Sequence, residues 1–79
     1  MGDSTETTRI MLQVMYVNRI KEILKELDMT QEELFHLSGV PQPEISRIAN
    51  GKKRKIELET AVKIARALGR PVEYVFPDY

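Results

Sequence analysis

Between positions 30 and 51 the chain reads TQEELFHLSGVPQPEISRIANG, two short apolar-periodic stretches with almost nothing between them. The first is apolar at Leu34 and Leu37, the second at Ile45 and Ile48, and Gly39 falls in the gap. Spacings of three are helical spacings. Two helices joined by a turn of about three to four residues, often with Gly, form a helix-turn-helix. The outward face of the second helix then decides what such a chain is for.

The rest of the chain bounds the answer. At 79 residues it is one small domain. A chain of this size buries only roughly 60% of its unfolded surface, so its core is thin. A separate sensor domain or a large catalytic cleft does not fit. There is no cysteine, which excludes disulfides and thiolate metal sites, and a lone His36 makes no zinc site. No apolar run is long enough to span a membrane. In the opening MGDSTE, Glu6 stands where an N-myristoylation signal needs Ser or Thr, and no secretory apolar region follows. A soluble, cytoplasmic protein is expected, with no metal and no cofactor.

Twelve basic and twelve acidic residues give a net charge of zero. That weighs against purely electrostatic binding to nucleic acid. The distribution is more informative than the sum. Lys52, Lys53, Arg54 and Lys55 form a basic run directly after the second helix of the motif. Acidic residues gather elsewhere, at Glu22, Glu26, Glu32, Glu33, Glu57 and Glu59.

Two segments are expected, an extension over residues 1–17 and a domain over residues 18–79. Residues 1–8 are polar and aperiodic, and read as a tail. Residues 9–17, RIMLQVMYV, place Ile10, Leu12, Val14 and Tyr16 on one face of a strand, or extend a helix. Met15 offers an alternative start. An apolar segment so short needs a partner, and pairing across a dimer supplies one. Asn18 suits the cap of a helix to about Leu27, with Val17, Ile20, Ile23, Leu24 and Leu27 on its apolar stripe. Thr30 with Glu33 makes a capping box for a helix to about Leu37. Gly39 suits a left-handed helix end. Pro41 is expected in the first turn of the third helix, and Pro43 is tolerable there. Asn50-Gly51 ends that helix. A fourth spans about residues 58–68, with Leu58, Ala61, Val62, Ile64, Ala65 and Leu68 on one stripe, and Gly69 closes it. After Pro71, a last short turn lets Val72, Val75 and Phe76 close the core. The fold class is therefore all-α with five helices.

At about 100° per residue, Pro41, Ile45 and Ile48 share the inward side of the third helix, with Glu44 at its edge. Gln42, Pro43, Ser46, Arg47 and Asn50 face outward, with Ala49 at a boundary. That outward face is short, polar and rich in hydrogen-bond groups. In a helix-turn-helix the second helix lies in the DNA major groove, and its N-terminal residues meet base edges. Gln pairs with adenine N6 and N7, and Arg with guanine O6 and N7. Gln42, Pro43, Ser46 and Arg47 are thus the candidate base contacts, with the Pro43 ring suited to a thymine methyl. Gln31, at the start of its helix, is placed for a phosphate. Asn50, Lys52, Lys53, Arg54 and Lys55 are candidates for the flanking phosphates. About four such contacts correspond to a log–log salt slope near −4.

The elements NRIKEIL, TQEEL, SGV, ISRIANGK and LETAVKIARALG together resemble the Cro/CI-type, XRE-like helix-turn-helix family of prokaryotic and phage regulators. The resemblance covers residues 18–76, about three-quarters of the chain. It implies a compact five-helix, lambda-repressor-like domain that binds operator DNA, usually as a dimer. It implies phosphate binding at Gln31 and around Asn50 and Lys52. It implies base contact at Gln42, Pro43 and Arg47, with Pro41 and Ser46 close by. Three features depart from the family pattern. Phe35 stands where a small residue is usual, and must turn outward or open the helix pair. Glu44 adds negative charge near the DNA face, to be offset by Arg47 or the loop. KKRKIE is about one residue longer than the usual connection.

The expected function is a sequence-specific transcriptional regulator, a repressor that binds a palindromic operator as a homodimer. The alternative is a protein-interaction module, such as an antitoxin whose main partner is a toxin. Zero net charge and the apolar stretch over residues 9–17 favour it. His36 lies one turn after Glu32, but no nucleophile or second base accompanies it, so it reads as a surface residue and the chain as no enzyme. Tyr16, Tyr74 and Tyr79 read as covering the core edge or the chain end. No Gly-rich phosphate loop is present.

Overall fold

Asn18 starts the first helix from outside it. Its side-chain carbonyl accepts a hydrogen bond from the Ile20 N–H at 3.1 Å, which satisfies one donor of the first turn. The computed structural model describes residues 18–53 and 55–77. In chain order their elements are α1 (Ile20–Glu26), α2 (Gln31–Ser38), α3 (Gln42–Ala49), α4 (Leu58–Leu68) and α5 (Val72–Val75). The architecture is all-helical. The extension over residues 1–17, with the strand, helix or dimer role expected of it, lies outside the described residues.

Local chemistry sets the helix ends. Thr30 Oγ1 accepts from the Glu33 N–H at 3.0 Å, and Glu33 Oε1 accepts from the Thr30 N–H at 2.9 Å. This is the capping box, formed in both directions. At the far end of α2, Gly39 has φ 79 and its N–H donates to the Phe35 carbonyl at 2.8 Å. Only glycine adopts that left-handed geometry without a Cβ penalty. Ser38 stiffens the turn: its hydroxyl donates to the Leu34 carbonyl at 2.6 Å and accepts from the Val40 N–H at 3.1 Å.

The start of α3 corrects one expectation. Pro41 is the cap, not part of the first turn, and its ring is exposed rather than inward. Its ψ of 140° is extended, as the preference of proline and of capping positions dictates. The missing N–H of Pro43 falls in the first turn, where no intrahelical partner exists. At the other end the Gly51 N–H reaches the Ile48 carbonyl at 2.9 Å and the Lys52 N–H reaches Arg47's at 2.9 Å. With Gly51 at φ 70, this pair of bonds is a Schellman stop.

One core joins these pieces. Ile20, Ile23 and Leu24 of α1, Leu34 of α2, Ile45 and Ile48 of α3, and Ala61, Ile64, Ala65 and Leu68 of α4 are buried together with Val40, Val75 and Phe76. α2 packs on both α3 and α4, and α5 closes against α4. Each fully buried Ile stabilises by about 1.5–3 kcal/mol, against about 1 kcal/mol for a cap. Burial, more than capping, therefore fixes α3 in place. The helical stripes over-reach at their margins. Leu37 and Leu58 are each 62% exposed, and Leu27 is partly exposed beyond the end of α1. The periodicity puts these residues on the correct side, but the thin core does not extend to them. The start of α1 is clasped to α5. The Arg19 N–H donates to the Val75 carbonyl at 2.9 Å, its guanidinium donates to the Tyr74 carbonyl at 2.7 Å, and the same group lies 4.6 Å from the centre of the Tyr74 ring.

Candidate nucleic-acid interface

α3 divides cleanly by burial. Ile45 and Ile48 are 0% and 1% exposed, while Gln42, Pro43 and Arg47 are exposed or half-buried on the opposite side. Ser46 and Asn50 lie beside them, and the Asn50 amide donates to the Ser46 hydroxyl at 3.4 Å. Gln42, Pro43, Ser46, Arg47 and Asn50 thus share one solvent-facing surface on an anchored helix. Pro41, at the cap, is exposed as well.

The helix is also held from its C-terminal end. Asn18 Nδ2 donates to the Ile48 carbonyl at 2.7 Å, so one side chain both accepts from the first N–H of α1 and grips the last turn of α3. The sequence suggests Asn18 as the cap of α1, but the capping position is Arg19, one residue nearer the helix. The grip on Ile48 is missed, because a bond across thirty positions leaves no local signal.

Around this surface lie the candidate phosphate contacts. Gln31 opens α2 half-buried. The capping box engages the N–H groups of Thr30 and Glu33, leaving those of Gln31 and Glu32 as the orphan donors of that turn. Lys52 and Lys55 are exposed. Arg54 lies outside the described residues. Lys53 is engaged, because its ammonium sits 3.0 Å from Glu44 Oε1. The loop therefore supplies the compensation that Glu44 requires, and Arg47 does not. Phe35 takes the outward option, 37% exposed, with its ring tilted against His36 at 5.0 Å. It is not among the residues that form or pack against the buried core.

His36 and Glu32 form an exposed pair at 3.8 Å along one helix face. A shallow groove between α2 and α4 is lined by Leu37, Ser38, Lys63, Arg66 and Ala67. The Ser38 hydroxyl there is committed to backbone partners. Among the described residues no group of three or more His, Cys, Asp or Glu could hold a metal ion. No helix among them is long and apolar enough to cross a membrane.

Residues 20–75 match the family model described as helix-turn-helix, which is well over half of the chain. The chain belongs to this XRE-like helix-turn-helix family. The family is one of DNA-binding regulators, not of enzymes. The chain is similar to an uncharacterized HTH-type transcriptional regulator of Haemophilus influenzae, 39% identical over 59 residues, covering 71% of this chain and 59% of that protein. It therefore spans less than two thirds of that relative's length. It is also similar in structure to the restriction-modification controller protein C.AhdI from Aeromonas hydrophila, with a TM-score of 0.67 and 28% identity, over 73% of this chain and 86% of that one.

Proposed function

We propose that this regulator reads a palindromic operator as a homodimer, with α3 in the major groove and repression by occlusion of a promoter as the outcome. The observation that carries the reading is the division of α3: two isoleucines buried to about the limit, and a polar face of Gln42, Pro43, Ser46 and Arg47 turned away from them. Base edges in the major groove offer the acceptors and donors that Arg and Gln match in pairs. Gln31, Asn50, Lys52, Lys53, Arg54 and Lys55 supply the flanking phosphate contacts. Covering a promoter requires no more of the chain than this surface. The DNA-binding domain is taken to extend over residues 18–79, with residues 1–17 adding contacts between subunits.

The likeness to a restriction-modification controller favours one refinement, that the regulated genes encode a restriction enzyme and its methylase. Selection of bound sites from a pool of random duplexes, followed by footprinting, tests the reading. An inverted repeat with half-sites about one helical turn apart, or a multiple of it, is expected. Recovery of unrelated sequences at background frequency would refute sequence-specific binding. A single half-site would refute the dimer alone.

A further inference from the structure

Four ion pairs occur among the described residues, and one differs from the others. Lys53–Glu44 is the shortest at 3.0 Å, and its side chains are the most shielded, 26% and 33% exposed. Lys63–Glu59 is at 3.2 Å but 50% and 76% exposed. Arg70–Glu26 and Glu32–His36 are at 3.7 and 3.8 Å. Exposed pairs are screened by salt and contribute little, whereas a partly buried pair is screened less. Glu44 also sits in the first turn of α3, where the helix dipole favours a carboxylate. Lys53 belongs to the basic loop that follows the same helix. The pair therefore ties the loop back onto the helix that would read DNA.

Resting on the DNA-binding reading above, we infer that Glu44 is a specificity-determining residue that acts by withholding Lys53 from non-operator DNA. Affinity for random duplex is almost wholly electrostatic, and scales with the number of phosphates neutralised. A lysine held by a carboxylate at 3.0 Å neutralises no phosphate. On random duplex nothing draws α3 deeply into the groove, so the pair stays closed. On the operator, contacts at Gln42 and Arg47 seat the helix and bring a phosphate against the loop. Lys53 then exchanges Glu44 for that phosphate. Affinity for the operator gains a contact that affinity for random DNA lacks. The separation between the two is what a regulator needs against a genome of competing sites.

The test measures binding of the full chain to its selected site and to a random duplex across a salt series. Wild type is compared with Glu44→Gln, Lys53→Ala and the double variant. Lys53→Ala is expected to flatten the operator salt slope by about 0.9, one phosphate contact, and to leave the random-duplex slope unchanged. Glu44→Gln is expected to steepen the random-duplex slope by about 0.9, and the double variant to lose that gain. If Lys53→Ala changes both slopes alike, or if the steepening by Glu44→Gln persists without Lys53, the exchange does not occur. If wild type binds no duplex of any sequence, the DNA-binding reading itself falls, and the role of Glu44 with it.

Discussion

Asn18 holds the carbonyl of Ile48 at 2.7 Å, joining the start of the first helix to the last turn of the third. Its other side-chain atom accepts from the Ile20 N–H, so the two ends of one amide serve two helices. The orientation of α3 thus depends on α1 through a polar bond as well as through the shared core.

Asn18→Ala removes both bonds. Each of the two part-buried bonds is worth about 1 kcal/mol net. A loss of about 1–3 kcal/mol is expected, seen as a fall in Tm of several degrees for a domain this small. An unchanged Tm would show that neither bond contributes.

Thr30→Ala breaks the capping box of α2. It leaves the Glu33 N–H without its Oγ1 acceptor, while the bond from the residue 30 N–H to the Glu33 carboxylate can persist. A cost of about 1 kcal/mol is expected in denaturant unfolding, with an unchanged slope of free energy against denaturant.

Gly39→Ala separates backbone strain from crowding. No atom lies within 4 Å of where the new Cβ would be, so packing predicts no penalty. The φ of 79° predicts about 1–2 kcal/mol of destabilisation. Gly39→Asn should cost less, since Asn tolerates the left-handed region. Equal stability of Gly39→Ala and wild type would mean that the turn relaxes away from this geometry.

Sequence shows these features unequally, for physical reasons. Caps, glycine stops and prolines act within about four residues, so Thr30 with Glu33, Gly39, Gly51 and the span of α4 are legible. Periodicity reports the side of a helix and not the depth of the core. It therefore places Ile45 and Ile48 correctly, while Leu37 and Leu58, which it also turns inward, are exposed. The ring of Pro41 suits a first turn as well as a cap, and only the backbone shows it to be the cap. Asn18–Ile48 and Arg19–Tyr74 join distant positions and become visible only when the helices are brought together, while for Glu44 the structure decides between Arg47 and the loop in favour of Lys53. The polar face of α3 is legible as a pattern, and its fixed backing of buried isoleucine is what the structure adds.

Whether the outward face of α3 reads bases is tested most directly by one paired measurement. Arg47→Ala and Lys52→Ala are titrated against the selected site, against that site with each position changed in turn, and against random duplex. Arg47→Ala should lose about 1–3 kcal/mol on the selected site, or about 5- to 150-fold, and become indifferent to one base position. Lys52→Ala should weaken all duplexes by a similar factor and flatten the salt slope by about one contact. Wild-type affinity and wild-type base preference in Arg47→Ala would contradict a base-reading α3.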